Sequence, residues 1–312
     1  MKDLEYLNQA HPVRRSEAQK EAFRQDVIKD LSAHGVSARV ELTSDGKNKN
    51  VIVGDPLTAK TVLSAHYDTP ARSIFPNLMI PRCLPLFWAY QFLPVVLLLA
   101  VSLGGGFLFS ILTNTGERGY MAGFLVLYYA LFFLLFRGFS NPHNQNDNTS
   151  GVATVLSAVK AMDPALRDDL AVILFDNEEK GKKGSKAYYK DHKDALQKRT
   201  LINFDCVGVG EDVVFIAMKE AEKSPAWGDL QKAFCAKDAY RVSFYPIKGS
   251  ESNSDYKNFP CGIGCMTCKR THRGLLYTPW IHTSRDTVAR QENIDFIVGG
   301  LQRFLAPNRK DA

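Results

Sequence analysis

Val62-Leu63-Ser64-Ala65-His66-Tyr67-Asp68-Thr69-Pro70 is an apolar run that breaks off at a histidine, with a carboxylate two places further on. A run of this kind reads as a strand buried in a sheet, and the ends of such strands are where open α/β sheets carry their sites. Alternate side chains of an extended chain point the same way. Asp68 is therefore expected to hydrogen-bond the ring nitrogen of His66 that faces away from a metal.

Four further segments supply ligand-type residues at similar places. Ala171-Val172-Ile173-Leu174-Phe175 ends in Asp176-Asn177-Glu178-Glu179, and Leu201-Ile202-Asn203-Phe204 ends in Asp205. Neighbouring side chains diverge, so one of the two glutamates can bind a metal while the other faces the water to be activated. Asn146-Asp147-Asn148-Thr149-Ser150-Gly151 precedes a helical pattern, which puts Asp147 at a helix entrance where backbone N–H groups favour an ionised carboxylate. Ile281-His282-Thr283-Ser284-Arg285-Asp286 closes the set. Taken singly, these are a structural His-x-Asp pair, a helix cap, a solvated glutamate pair, a turn residue and an ordinary histidine. Their order and context together are far more specific.

On these motifs, together with Ser254-Asp255, the chain resembles the M28 family of zinc peptidases from about Val51 to its C-terminus. The resemblance implies two zinc ions per chain, with Co2+ or Mn2+ as possible substitutes. His66 and Asp205 would hold one, Glu179 and His282 the other, and Asp147 would bridge them. Glu178 would be the general base and Asp68 would orient His66. An aminopeptidase acting on peptides is implied. Glutaminyl cyclases are similar to this family and keep several of the ligands with one zinc, so a cyclase is the alternative; a non-catalytic membrane receptor on the same fold is a third reading. The segment Gly249-Ser250-Glu251-Ser252-Asn253 lacks the tyrosine that some members carry before the Ser-Asp pair. Tyr256 and Tyr277 are the remaining candidates for an oxyanion donor.

Between the first two ligands lies an apolar insertion. No charged residue and no histidine occurs from Cys83 to Gly116, and Tyr120 to Phe136 is also uncharged. About 20 apolar residues cross a bilayer core, so residues 83–137 are expected to form a two-helix transmembrane hairpin. It interrupts a metallopeptidase domain made of residues 1–82 and 138–312. The geometry agrees: His66 and Asp147 must meet, so the chain has to return to the side it left, and two spans do this. Arg72, Arg82 and Arg137 flank the returning ends while Glu117 balances Arg118 at the tip, which by the positive-inside rule expects a cytoplasmic catalytic domain. Met1 to Ala33 shows no apolar signal segment.

Six cysteines form no disulfide framework. Cys261, Cys265 and Cys268 have the spacing of an iron-sulfur motif, but they sit late in the chain on a strand pattern and read as free core cysteines. The 312 residues carry a net charge of +6, and their basic residues are not interleaved with aromatics on one element, which argues against nucleic acid. Peptide substrate and lipid bilayer are the expected partners. Strand patterns at residues 51–53, 61–65, 171–175, 201–205, 213–217 and 263–268 alternate with helical patterns at 16–34, 151–162, 185–192, 226–236 and 293–305. The fold class expected is α/β, a mostly parallel mixed sheet flanked by helices.

Overall fold

The computed structural model describes residues 2–75, 77–164, 169–235 and 239–306. The chain opens with α1 (Asp3–Ala10) and α2 (Glu17–Ala33). At the start of α2 the expected capping box forms, Ser16 Oγ accepting the Gln19 amide while the Gln19 side chain accepts the Ser16 amide. Gly35 then takes the left-handed φ of +69° that ends the helix. Strands β1 (Ala38–Leu42), β2 (Lys49–Val53), β3 (Thr61–His66), β4 (Ala71–Arg72) and β5 (Asn77–Met79) lead into two long helices, α3 (Leu84–Thr113) and α4 (Gly116–Phe132). A wider turn, Phe133–Arg137, brings the chain back to β6 (Phe139–Ser140). Next come α5 (Gly151–Ala161), β7 (Leu170–Phe175), α6 (Lys183–Asp191), α7 (Lys193–Leu196), β8 (Thr200–Phe204) and β9 (Asp212–Ala217). Last are α8 (Lys219–Glu222), α9 (Pro225–Ala233), β10 (Arg241–Pro246), β11 (Gly262–Arg270), β12 (Leu276–Ile281) and α10 (Gln291–Leu305). Ala236, the last residue of one expected helix, lies outside the described residues.

The main sheet runs β1-β2-β7-β3-β8-β11-β12-β5, with β9 and β10 branching from β11. Its centre, β7-β3-β8-β11, is parallel, and the pairings outward from β7 and β11 are antiparallel until β9 meets β10 in parallel. The sheet is thus α/β and mixed, parallel where the ligand-type residues lie. Strands β3, β7 and β8 are buried at every position because helices cover both faces. One face packs on α1, α2, α5, α9 and α10, through Phe23, Val155, Leu230 and Ile297 among others; the opposite face packs on Tyr188 of α6, Leu196 of α7 and Phe259.

Strand β11 decides the cysteine motif. Side chains alternate along a strand, so a spacing of three puts Cys265 in the core on one face and Cys268 in the core on the other. No single cluster can be ligated by both, and all six cysteines are free.

Helices α3 and α4 form an antiparallel pair standing out from the sheet. The contact is close because small residues meet: a Cβ on Gly123 would lie 3.1 Å from Gly106 Cα and 2.8 Å from Phe109 Cβ. At 1.5 Å per residue the first helix is roughly 45 Å long. Both segments, Leu84–Thr113 and Gly116–Arg137, are long and apolar enough to cross a membrane. Only 17% and 11% of their apolar windows are buried in the protein, which is unlike the core helix of a soluble domain. At the base, β4 pairs with β6 and β5 with β12. Arg15 donates to the carbonyl oxygens of Arg137 and Gly138, and Arg82 donates to Gly249 O and Ser250 Oγ while stacking on Tyr245.

At the start of β9, Asp212 ties three strands together. Arg241 of β10 donates to both its oxygens, at 3.0 and 2.7 Å, and Arg270 of β11 donates to Oδ1 at 3.1 and 2.5 Å. Burial alone would raise this carboxyl, but the two guanidinium groups outweigh it and hold it below its ordinary value. The stabilisation is therefore complete above the unfolded value of about 3.9 and is lost as pH falls through the lower folded value. Asp212→Asn is expected to lower stability by about 1.5–3 kcal/mol at pH 7, with the gap to the parent narrowing at pH 3 in thermal unfolding. An unchanged gap at both pH values would exclude this role.

Candidate metal centre

Three adjacent parallel strands deliver the acidic and imidazole groups to one end of the sheet. His66 is the last residue of β3, Asp205 immediately follows β8, and Glu178 and Glu179 follow β7 after a turn in which Asn177 takes a φ of +54°. His282 comes directly after β12, and Asp147 lies in the segment Gln145–Ser150 that precedes α5. Asp147 is thus four residues ahead of Gly151, with extended dihedrals and a cis bond to Asn148. It stands ahead of the helix that the motif had suggested, outside its first turn.

The groups converge closely. His66 Nε2 is 3.4 Å from Asp147 Oδ1 and 3.8 Å from Asp205 Oδ1; His282 Nε2 is 3.0 Å from Asp147 Oδ2 and 3.4 Å from Glu179 Oε2. Two triads, His66/Asp147/Asp205 and Asp147/Glu179/His282, each offer ligand atoms within 4.8 Å of one another, and Asp147 belongs to both. Burial would lower both imidazoles, yet the surrounding carboxylates outweigh it and raise His66 and His282 well above the usual histidine value. Burial would raise Asp147, but the two histidines hold it far below the usual carboxylate range. Glu178 goes the other way, lifted by burial and by neighbouring carboxylates despite His66. Glu179 Oε1 and Asp205 Oδ1 are buried and accept no hydrogen bond. Buried acceptors normally find a donor, so two bare carboxylate oxygens in a converging His/Asp/Glu set fit divalent cations of the zinc type.

A second layer of bonds fixes these side chains, and one of them corrects the sequence reading. His66 Nδ1 lies 3.1 Å from the backbone carbonyl of Asp68, so that carbonyl orients the ring and leaves Nε2 facing Asp147 and Asp205. The Asp68 carboxylate is 3.7 Å from the ring and instead accepts the amides of Glu178 at 2.9 Å and Glu179 at 3.1 Å. Alternation put Asp68 on the right side of the strand, but two amides in a tight turn make a better cradle for a carboxylate than one ring N–H. Asp286 does the same for the other loop, accepting the amides of Asn146 at 2.9 Å and Asp147 at 3.0 Å. Asn148 joins that loop to β8 by donating to Phe204 O and accepting from the amides of Gly151 and Cys206. Asp286 and Asn148 stood inside the motifs but had no assigned role, because nothing in spacing alone says which amides a carboxylate will meet.

Asp147, Glu178, Glu179, Asp205 and His282 line a cavity of about 230 Å³ together with Lys182, Asn203, Ser252, Asn253 and Met266. Neither Tyr256 nor Tyr277 lines it. Tyr256 is fully buried beneath Gly264 and its hydroxyl accepts from Ser252 Oγ. The polar groups on that wall are Asn253, in the left-handed region at φ +44°, and Lys182, which donates to Asn253 Oδ1 at 2.6 Å. Asn203 lies under the cavity floor between Ser64 and Ser254.

Residues 142–296 match the sequence model of peptidase family M28. That stretch contains Asp147, Glu178, Glu179, Asp205 and His282; His66 lies outside it. A search of curated proteins finds no match. Among solved structures, the glutaminyl cyclase of Porphyromonas gingivalis aligns over 97% of this chain and 94% of its own, with a TM-score of 0.57 and 13% identity. The LapA aminopeptidase of Legionella pneumophila aligns over 97% and 67%, with a TM-score of 0.56 and 13% identity. The glutaminyl cyclase of Bacteroides thetaiotaomicron bound to N-acetylhistamine aligns over 98% and 97%, with a TM-score of 0.54 and 14% identity. At such identities the structures share the fold, and the sequence match over residues 142–296 ties that half of the chain, with five of the six ligand-type and base residues, to peptidase family M28.

Proposed function

We propose that this chain is a membrane-anchored metallo-aminopeptidase holding two zinc ions, for which Co2+ or Mn2+ could substitute. The reading is carried by one observation, the two ligand triads that share Asp147. His66 and Asp205 would bind one ion, Glu179 and His282 the other, with Asp147 as the bridge. When bound, two such ions polarise the scissile carbonyl and acidify the attacking water. Glu178 is left to carry the proton: its carboxylate lines the same cavity, and it would take the proton from that water and return it to the leaving amine. Asp68 acts as a positioning residue, because its carboxylate fixes the backbone of the base and of the neighbouring ligand together.

Membrane anchoring is supported by the length, apolar character and exposure of α3 and α4, whose surface carries Val96, Phe107, Leu112 and Val126 at 59%, 64%, 75% and 70% exposure. Residues 1–82 and 138–312 would then form the catalytic domain and 83–137 the hairpin. Arg72, Arg82 and Arg137 gather at the base, which favours a cytoplasmic catalytic domain.

A glutaminyl cyclase is the second reading, favoured by the near-complete coverage of two cyclase structures. It differs in needing one zinc and in leaving the peptide at full length with a cyclised N-terminus. The intact set of Glu178 and five ligand-type residues weighs against a purely structural receptor.

Detergent-purified protein is expected to hold two zinc ions by elemental analysis and to shorten peptides stepwise from the N-terminus by mass spectrometry. Glu178→Gln should keep both ions and lose about 100- to 10,000-fold in rate; one ion and a pyroglutamyl product would select the cyclase. Asp68→Asn should weaken zinc affinity or activity by about 10–100-fold while the melting temperature of the metal-free protein stays near that of the parent. An unmoved zinc affinity and rate would leave Asp68 without a positioning role. For topology, a cysteine at Thr115 should react with an impermeant maleimide from outside intact cells and one at Lys186 should not; the reverse pattern would place the catalytic domain outside.

A further inference from the structure

We propose that the base of the hairpin builds a side-chain pocket of the active site, which receives an apolar or aromatic substrate residue flanking the bond to be cleaved. A cavity of about 150 Å³ lies between the hairpin and the catalytic domain, walled by Ser73 and Phe75, by Tyr90, Gln91 and Pro94 of α3, by Leu135 and Phe136 of the returning turn, and by His282. His282 also lines the 230 Å³ cavity that holds the carboxylates, so one imidazole forms the partition between the two spaces. The partition is held in place by the hairpin side itself: the Ser73 amide donates to His282 O at 2.7 Å, and the Phe75 ring packs on Tyr90 with centroids 5.5 Å apart.

Size and chemistry name the occupant. An apolar cavity of about this volume accommodates a benzene ring, so a phenylalanine or leucine side chain is of the right order. Five of the eight wall residues, Phe75, Tyr90, Pro94, Leu135 and Phe136, are apolar or aromatic, so an apolar side chain buries surface there while a charged one would have to give up its water. All of these wall residues but His282 lie before residue 142, outside the stretch that matches the family. Tyr90, Gln91, Pro94, Leu135 and Phe136 belong to the insertion, so the hairpin supplies most of the pocket wall. Ile74, Phe139 and Trp280, exposed by 60%, 60% and 41%, surround the same base, so a peptide with an apolar end meets apolar surface on its way in.

The identity of the occupant as a substrate residue rests on the peptidase reading; the binding preference of the pocket does not. Both are tested on full-length, zinc-loaded Glu178→Gln protein by calorimetric titration with phenylalaninamide and with alaninamide. Phenylalaninamide is expected to bind at least tenfold more tightly. Leu135→Trp, which fills the cavity, and Phe136→Asn, which makes its wall polar, should each bring the ratio close to one while alaninamide affinity holds. Failure of phenylalaninamide to bind, equal affinity for the two amides, or a ratio unmoved by both variants overturns the pocket. Hydrolysis of the corresponding p-nitroanilides by the parent protein separates the two ideas. Discrimination in binding without any hydrolysis sinks the peptidase reading and leaves the pocket standing, whereas equal kcat/KM for both anilides without discrimination in binding does the opposite.

Discussion

Four carboxylates, those of Asp147, Glu178, Glu179 and Asp205, face one cavity, and their mutual repulsion is the constraint around which the rest of the molecule is arranged. Two unit charges 4 Å apart interact by roughly 4 kcal/mol at an effective dielectric of 20, so the cluster can persist only if positive partners and fixed dipoles are built around it. Two imidazoles sit among the oxygens, and pairs of backbone amides are turned toward the supporting carboxylates of Asp68 and Asp286. Behind them the N-terminal segment brings in cations. Arg14 is fully buried and donates to His11 O, Tyr67 O and Thr149 Oγ1, joining the exit of β3 to the Asp147 loop. Burial pushes its guanidinium down to about 10, which still leaves it charged at neutral pH. Lys20 of α2 sits 2.6 Å from buried Asp176, just ahead of the glutamate pair. The α1–α2 connection and the start of α2 thus act as an electrostatic backing for a site whose ligands come from elsewhere in the chain.

Much of this was legible from the chain alone, for definite reasons. A buried central strand must be apolar on both faces, so Thr61–His66, Leu170–Phe175 and Thr200–Phe204 stand out as uninterrupted runs, and the ligand-type residues at their ends stand out by contrast. Strands β1 and β10 and helix α1 did not stand out. The two strands are partly exposed along most of their length, and Ala38–Leu42 carries an arginine and a glutamate that blur any alternation. At the site, residue type and order disclosed the converging set, but not the Asp68 clamp on two amides nor the Lys182–Asn253 contact. Those depend on turns whose left-handed residues, Asn177, Lys182 and Asn253, set directions that a linear pattern does not encode.

The hairpin illustrates how a sheet accepts a large insertion. It departs after β5, which pairs with β12 at one edge, and returns through β6, which pairs with β4 in a separate two-strand ribbon. No central strand is split, and the register of β7, β3 and β8 is continuous past the point where the chain leaves. The cost is local and is met at the base, where Arg15 and Arg82 bond to backbone carbonyls and Phe133 packs edge-on against Phe139.

The two-residue ribbon of β4 and β6 has a topological consequence. Arg72 and Phe139 stand opposite one another, so the ends of the excursion are about one strand spacing, 4.8 Å, apart. Closing a chain across such a gap costs an entropy that grows only with the logarithm of the length enclosed, which makes the sheet nearly indifferent to whether the excursion is long, short or exchanged for another. The molecule is in this sense a closed body with a grafted limb, and the limb can change its length and surface over time without the sheet having to be rebuilt.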